Sequence, residues 1–394
     1  MTMERIGIMG GTFDPIHLGH IHMAQSALTH LSLDRVLMLP SGNPPHKPDI
    51  TPAEDRYRMV CAACAGLVDL IPCRGEIDRE GIIYTVDTLS ILHEKYPRAE
   101  LFYLIGTDTL MELQKWRRYE KVLTLCTFVV CPRASVHSAD ALEKERRRLS
   151  GMGGRFVLLD MDEMDVSSTE VRAAFRQGSY PPLLPIPVYQ YAVTAGLYGA
   201  QKRLPQAEQW LDRLFRDLSI KRFAHTLAVA YTARRLALLH HLDADRAEIA
   251  GLLHDCAKCM PLKDMQHLAR AHHLTDDEAI LRSGALLHSV VGAYRAQADY
   301  AMADAQVLSA IRSHTTGQPG MSRLDMAVWL ADTIEPTRAP YPLLEEVRAA
   351  AETSLERAML ISLEGTLRHV QKKGDAVHPA TLETIRWLRT LPLD

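Results

Sequence analysis

The chain has 394 residues, of which 47% are hydrophobic and 24% are charged, and its formal net charge at pH 7 is -3. This length and composition fit two or three globular domains that can each build a complete core. The nearly balanced charge excludes a global attraction to nucleic acid or to anionic membranes, so cations that bind phosphate must be local.

The sequence also argues against a membrane span and against a disulfide framework. No apolar run approaches the roughly 18 residues that a span needs, and the N-terminal residues lead directly into a strand-like run rather than a signal peptide. Seven cysteines is an odd number in a long chain, which favours the reducing cytoplasm. Two Cys-x-x-Cys pairs, Cys61/Cys64 and Cys256/Cys259, suggest a shared zinc site or buried free thiols, and we expect the thiols.

The first half of the chain alternates short apolar runs with amphipathic segments. In chain order these predict a strand at Arg5–Met9, a helix at Leu18–Leu31, a strand at Arg35–Leu39, helices at Pro52–Leu67 and Ile82–Tyr96, strands at Leu101–Ile105, Thr127–Cys131 and Arg155–Leu159, and a helix at Ser168–Arg176. Such alternation predicts an α/β domain, a Rossmann-like doubly wound parallel sheet that helices cover on both faces.

The second half has a different periodicity. A proline-marked segment follows Pro181-Pro182, and from about Gln206 onward the apolar residues recur at helical spacing, as in Leu211, Leu214 and Leu218. We therefore predict an α/β domain over residues 1–200 and an all-α domain over residues 208–394.

A glycine loop follows the first predicted strand. Gly10, Gly11, Thr12 and Phe13 stand between this strand and a helix, the position where ligands bind in open α/β sheets, although a Gly-Gly pair alone can also be a simple tight turn. His17 and His20 follow at a spacing of three and share one helix face. Imidazoles can donate hydrogen bonds to phosphate oxygens, so the loop predicts a phosphate site.

The run Gly10-Gly11-Thr12-Phe13-Asp14-Pro15-x-His17-x-Gly19-His20 resembles the nucleotidyltransferases with a His-x-Gly-His signature, and more narrowly the nicotinate mononucleotide adenylyltransferases. Further segments that resemble this family follow in order over residues 3–199: Pro40–Lys47 as a substrate loop, Tyr84–Leu89 and Leu104–Glu120 as nicotinate and ribose segments, and Val166–Arg172 as the second signature. In the family, the first position of this second signature is more often isoleucine, whereas this chain has Val166 there.

The resemblance implies transfer of adenylate from ATP, with its Mg²⁺, to nicotinate mononucleotide with release of pyrophosphate. It implies that the glycine loop and Gly106 hold the nucleotides and that His17 and His20 face the triphosphate. Positive charge would come from Lys47 and Arg172, phosphate contacts from Ser168 and Thr169, and a further contact to ATP or the substrate from His46. Trp116 would stack on the pyridine ring, Thr85 would line its carboxylate, and Asp108 would meet a ribose hydroxyl or the Mg²⁺.

Several alternatives stay open for this half. Trp116 can be an ordinary buried aromatic residue, and Asp108 can be a helix N-cap. The acceptor can also be phosphopantetheine or nicotinamide mononucleotide instead of the nicotinate form, because backbone N–H groups can discriminate acid from amide.

The helical half contains a second set of polar residues on apolar segments: His225, His254, Asp255, His288, His314 and Asp332. A buried polar group needs a partner, and imidazole with carboxylate is a transition-metal ligand set. The set resembles the HD-domain metal-dependent phosphohydrolases over about residues 210–385. The segments Leu252–Lys258 and Ser313–Pro336 resemble the branch that splits diadenosine tetraphosphate into two ADP.

This second resemblance implies a di-metal centre, with iron as the first choice and manganese as the alternative. His225, His254, Asp255 and Asp332 would bind one metal, and His288 and His314 a second, with Asp255 as a bridge. Lys258 would stabilise phosphate charge unless it is a plain surface lysine. The sequence therefore predicts a bifunctional enzyme, with a regulatory HD domain that binds nucleotide without hydrolysis as the alternative. A homo-oligomer is also compatible with the sequence.

Overall fold

The structure, a computed structural model, describes residues 3–44, 49–132, 138–201, 204, 206–373 and 377–392. The chain divides into two compact units, Met1–Gln201 and Lys202–Asp394.

The first unit is a sheet of six strands with helices between them. The strands are β1 (Glu4–Gly11), β2 (Arg35–Pro40), β3 (Leu70–Pro72), β4 (Ala99–Gly106), β5 (Thr127–Cys131) and β6 (Arg155–Leu158). The helices are α1 (Leu18–His30), α2 (Ala53–Cys64), α3 (Thr85–Lys95), α4 (Thr107–Glu112), α5 (Tyr119–Leu125), α6 (Ala139–Gly151), α7 (Ser168–Arg176) and α8 (Ile186–Ala195).

All strand pairs are parallel, in the order β3-β2-β1-β4-β5-β6. This confirms the predicted doubly wound sheet. The chain reverses its direction of winding at β1, whose neighbours are β2 and β4, and a ligand crevice forms at such a switch point beyond the carboxyl ends of the strands. Because both faces are covered, the side chains of Ile6, Ile8 and Leu104 are all buried.

The structure differs from the predicted elements at one short strand and at the ends of two helices. The strand β3 was not predicted, because only three residues pair with β2. The helix α2 ends at Cys64, three residues early, because Ala65 is extended and Gly66 has a positive φ of 86°. The helix α3 begins only at Thr85, since Tyr84 before it is extended.

The described residues of the second unit form helices without strands, which confirms the predicted all-α architecture. The helices are α9 (Ala207–Asp217), α10 (Ile220–Leu239), α11 (Ala244–Leu253), α12 (Leu262–Ala271), α13 (Glu278–Arg282), α14 (Gly284–Tyr300), α15 (Ala305–Ser313), α16 (Arg323–Ile334), α17 (Leu344–Ala351), α18 (Leu355–Lys373) and α19 (Pro379–Leu388). Among the described residues of both units, no helix combines the length and the apolarity that a membrane crossing requires.

Candidate functional sites

The end of β1 comes close to its neighbour β4. A Cβ on Gly10 would overlap the hydroxyl of Tyr103, and one on Gly11 would lie 3.4 Å from the ring of Phe13. Any side chain at position 10 would therefore have to displace the Tyr103 hydroxyl. The backbone of the loop after β1 is left accessible at the carboxyl edge of the sheet, as a phosphate site needs.

The two histidines of the first motif stand in different places. His17 precedes α1 and is 3% exposed. Its backbone N–H donates to Nδ1 of His20 at 3.3 Å, and the two ring centroids are 3.7 Å apart. His20 lines a large cleft, whereas His17 is not among the residues that line it. Gly19 allows this arrangement, because a Cβ there would lie 2.8 Å from the Val166 side chain.

The start of α7 is fastened to the loop that follows β1. Ser168 Oγ donates to the carbonyl oxygen of Pro15 at 2.9 Å, and Arg172 donates to that of Asp14 at 2.6 Å. Arg172 also donates to Thr169 Oγ1 at 3.3 Å. The structure thus brings together the two motifs, about 150 residues apart in sequence, that we predicted to share the phosphates.

Two adjoining cavities open at this edge of the sheet, one of about 950 Å³ and one of about 320 Å³. They share Gly10, Gly11, Thr12, Tyr103 and Trp116. The larger cavity also contains most of the other residues that we predicted for ATP: Phe13, His20, Gly106, Asp108, Ser168, Thr169 and Arg172. His17, which we predicted to face the triphosphate, does not line it, because its buried ring packs against His20. The smaller cavity contains Thr85, which we predicted for nicotinate. His46 and Lys47 lie outside the described residues.

Sequence reasoning missed several polar groups of the smaller cavity. Lys115 and Arg117 line it, and the Arg117 guanidinium lies 4.4 Å from the ring centroid of Tyr84. Glu76 also lines it and accepts a hydrogen bond of 2.8 Å from Thr88 Oγ1. Burial raises the pKa of Glu76. One feature of the sequence indicated that Lys115 and Arg117 belong to the site, namely that they are the direct neighbours of Trp116.

In the second unit, five segments bring the six predicted ligands together. Asp255 lies at the centre, and its two carboxylate oxygens face different histidines. Oδ2 is 3.3 Å from His254 Nε2 and 3.9 Å from His225 Nε2. Oδ1 is 3.0 Å from His288 Nε2 and 3.8 Å from His314 Nε2. One carboxylate between two pairs of imidazoles is the geometry that a bridging ligand needs.

Asp332 completes the first of these groups. Its Oδ1 lies 3.0 Å from His225 Nε2 and 3.8 Å from His254 Nε2. The ligand atoms of His225, His254 and Asp332 lie within 4.8 Å of one another, and so do those of His254, Asp255 and His314. Asp332 is the most exposed of these ligands and opens the group to solvent, with 22% of its side chain exposed.

The outer nitrogen of each histidine already has an oxygen partner. Nδ1 of His225 lies 3.1 Å from Glu335 Oε1. The other three Nδ1 atoms lie 2.7 to 3.2 Å from backbone carbonyl oxygens of Gly251, Ile311 and Gly284. Donation from Nδ1 leaves the lone pair on Nε2, the tautomer that binds metal. Nε2 of His225 and of His254 are both buried and face the carboxylates of Asp332 and Asp255.

The protonation behaviour of the cluster reflects its burial. Burial alone would raise the pKa of Asp255, but the neighbouring histidines, His254 foremost, lower it well below its usual value. Burial lowers the pKa of His288 to about 4, which keeps this imidazole neutral. A carboxylate among imidazoles is the donor set of a transition-metal site, and these residues fit one.

Three cations surround this cluster. Lys258 Nζ lies 3.2 Å from His288 Nε2, and burial lowers the pKa of Lys258. Arg222 donates to Asp255 Oδ2 at 2.6 Å, and Arg338 lies 3.8 Å from Asp332 Oδ1. We predicted Lys258 as a phosphate contact and missed both arginines. The signal for Arg222 was its position three residues before His225, one helical turn away.

The cysteines do not form a metal site with these ligands. All seven are free, and the potential metal-binding groups found among the described residues contain none of them. Burial raises the pKa of Cys61, Cys64 and Cys256 to about 12, so these are inert thiols. Cys259 is exposed, contrary to our expectation of burial, because it lies in the turn before α12.

Comparisons with known proteins separate the two halves in the same way. Residues 8–174 match the cytidylyltransferase-like family, and residues 222–353 match the HD domain family. A probable nicotinate-nucleotide adenylyltransferase of Clostridium novyi is 41% identical over 172 residues, 43% of this chain and 86% of the relative. The chain belongs to the nicotinate-nucleotide adenylyltransferase family. In this member of the family, an HD domain follows the adenylyltransferase unit.

A second relative matches this chain over both units. A Mycoplasma genitalium protein named probable nicotinate-nucleotide adenylyltransferase/Ap4A hydrolase is 28% identical over 374 residues, 93% of this chain and 98% of that protein. A solved Clostridium acetobutylicum structure, titled a predicted HD superfamily hydrolase involved in NAD metabolism, is 36% identical with a TM-score of 0.45. That match covers 46% of this chain and 96% of the solved one.

Proposed function

We propose that the N-terminal unit transfers the adenylyl group of ATP to nicotinate mononucleotide. In this reaction a phosphate oxygen of the mononucleotide attacks the α-phosphorus of ATP, and the bond to the β-phosphate breaks. Pyrophosphate leaves with the electron pair, and the product is the deamido dinucleotide. The observation that carries the proposal is that two adjoining cavities share the glycine loop, so two nucleotides can meet there.

The larger cavity suits ATP. His20 and Arg172 stand where they can offset charge that builds up on the leaving pyrophosphate, and preorganised donors of this kind lower the barrier. Ser168 and Thr169 at the start of α7 supply hydroxyl and N–H groups for phosphate oxygens. We assign His17 the task of holding His20, since it lies behind that ring. Asp108 would meet the ATP ribose or the Mg²⁺ that enters with ATP.

The smaller cavity suits the acceptor. Trp116 offers a ring for stacking on the pyridine, and Thr85 lies at the first turn of α3, where helix N–H groups favour an anion. Lys115 and Arg117 add positive charge, which favours the nicotinate acid over the neutral amide. Lys47 stays in the proposal as a source of positive charge, and His46 as a residue that binds ATP or the substrate. Phosphopantetheine and nicotinamide mononucleotide are the competing acceptors that an assay must include.

We further propose that the HD unit hydrolyses diadenosine tetraphosphate to two ADP. Water supplies the new oxygen, and the bond between the two central phosphates breaks. The supporting observation is the position of Asp255 between two pairs of imidazoles. Divalent ions held there, iron or manganese by the donor set, would supply Lewis-acid chemistry for this hydrolysis. Lys258, Arg222 and Arg338 would bind the polyphosphate charge.

The competing role for the HD unit is regulatory binding of a nucleotide without hydrolysis. The complete ligand set favours hydrolysis, because a pure binding site has no need for six convergent metal ligands. The cytoplasmic location and a homo-oligomeric state stay predictions.

The experiment uses the full chain, purified and loaded separately with iron and with manganese. We expect dinucleotide and pyrophosphate from ATP with nicotinate mononucleotide, and much slower turnover with the amide or with phosphopantetheine. From diadenosine tetraphosphate we expect ADP alone. Binding of diadenosine tetraphosphate without any cleavage would support the regulatory role instead.

A further inference from the structure

Arg56 of α2 is a fully buried arginine that none of the assigned roles includes. Its guanidinium donates to three backbone carbonyl oxygens: Nη1 to Thr12 at 2.7 Å, Nη2 to Gly42 at 2.9 Å and Nε to Thr51 at 2.8 Å. Hydrogen bonds from a charged donor are stronger than neutral ones, and a buried guanidinium persists only when its donors are satisfied. Arg56 therefore fixes three chain segments relative to one another.

Two of these acceptors belong to the walls of the cavities. Thr12 follows β1 and lines both cavities, whereas Gly42 follows β2 and lines only the smaller one. The loop at Gly42 has little freedom to move, because a Cβ there would overlap the backbone carbonyl of Glu76. Arg56 thus sets the distance between two loops. The loop at Thr12 lines both cavities, and the loop at Gly42 lines only the smaller cavity, which we assign to the acceptor.

The bonds of Arg56 also orient two peptide planes. In a trans peptide the N–H points opposite to the C=O. Because the carbonyls of Thr12 and Gly42 point to the buried guanidinium, the N–H groups of Phe13 and Asn43 point away from it. Phe13 lines the larger cavity and Asn43 the smaller one. One side chain therefore directs one peptide donor in the wall of each cavity.

The backbone of the glycine loop needs such support. Phe13 has a φ of 50°, a left-handed conformation that is rare for a bulky residue and costs free energy. Arg56 bonds the carbonyl before Phe13, and Arg172 bonds the carbonyl of Asp14 after it. Arg56 thus holds the peptide plane directly before Phe13, and Arg172 holds the second plane after it, between Asp14 and Pro15.

We propose that Arg56 is a positioning residue for adenylyl transfer, which aligns the acceptor wall with the ATP loop without touching either substrate. The proposal rests on the proposed function of the N-terminal unit. A misplacement of about 1 Å of reacting groups can lower a rate by about 100-fold. Loss of Arg56 should therefore act on kcat, while each substrate alone keeps most of its binding contacts.

The test compares Arg56→Lys and Arg56→Met with wild type in the full chain. Lysine keeps the charge but cannot bridge three carbonyls in fixed directions. We expect both variants to lower kcat for the dinucleotide by about 100-fold, with KM values and single-substrate Kd values from calorimetry near those of wild type. Arg58→Met is the matched control, because Arg58 lies on the same helix and pairs with Glu54 at 3.3 Å.

The outcomes separate this proposal from the one on which it rests. A wild-type chain that makes no dinucleotide contradicts the proposed function itself. If the wild type is active and Arg56→Lys has the same kcat, Arg56 does not have the proposed role. If Arg56→Met does not fold, the kcat of Arg56→Lys alone tests the proposal. A parallel loss of kcat, substrate affinity and Tm in the Arg56 variants and in Arg58→Met would also overturn it, since the role would then be structural only.

Discussion

His20 has a second imidazole as a neighbour, at a centroid distance of 3.7 Å from His17, and an aromatic ring, Phe13, at 5.0 Å. His225 instead lies between Asp332 and Glu335, at 3.0 and 3.1 Å. The neighbours of His20 leave its ring at a cavity wall, where it can contact phosphate. Those of His225 orient its Nε2 toward the other candidate metal ligands. The same residue type thus supports different chemistry because of its neighbours.

Replacement of His20 with alanine should lower the rate of dinucleotide formation by about 100-fold or more, the magnitude typical of one preorganised donor. Steady-state kinetics with saturating ATP and nicotinate mononucleotide would measure it. His22→Ala is the control, because His22 lies on the same helix but bonds to the carbonyl oxygen of Asp162. Full turnover in His20→Ala would remove this residue from the mechanism.

Glu335 is 1% exposed and orients His225 through Nδ1. Its replacement with glutamine removes the charge but keeps the shape, so we expect metal affinity to fall about 10–100-fold, as for other groups that orient a metal-binding histidine. Competition with a chelator of known affinity measures the change. Glu345→Gln, at an exposed position of α17, should bind metal as wild type does. Equal affinities of the wild type and Glu335→Gln would show that Glu335 has no such role.

At the scale of elements, close helix packing brings the metal ligands together. Gly251 of α11 faces α10, and a Cβ there would lie 2.9 Å from Ala230 Cα. His225 is on α10 and His254 directly follows α11, so the separation of these two helices sets the distance between the two ligands.

Gly251→Ala should therefore push the two helices apart. We expect a loss of about 1–3 kcal/mol in the free energy of unfolding, as is usual for overpacking, together with weaker metal binding. Urea denaturation and metal titration would measure both effects. Gly151→Ala is the control, because no atom lies within 4 Å of its added Cβ. A variant of Gly251 with unchanged metal binding would contradict the link between helix spacing and the site.

Elements with a strong local pattern were predictable from the sequence, and those that depend on tertiary contacts were not. The strands β1, β2, β4, β5 and β6 and the helix α7 followed from apolar runs and caps. The strand β3 exists only through its pairing with β2. In the sites, the candidate residues followed from the family resemblance of their motifs and from polar residues on apolar segments. Arg56 did not, because in Glu54–Arg58 it stands among charged residues that resemble a solvated helix face.

At the scale of the whole molecule, each unit has a cluster of its own with a different donor set. The first offers glycine backbone, hydroxyls and cations for phosphate, and the second offers six candidate imidazole and carboxylate ligands with Asp255 at their centre. Since no ligand of the second cluster comes from the first unit, we expect the two activities to be separable by single substitutions.

Asp255→Ala in the full chain tests this account most directly, with Asp245→Asn, at an exposed position of α11, as the control. The measurement combines metal content with both activities on the same preparation. We predict loss of bound metal and of diadenosine tetraphosphate hydrolysis, with dinucleotide synthesis at the wild-type rate. Normal metal content in Asp255→Ala, or loss of synthesis together with hydrolysis, would contradict the account of two independent sites.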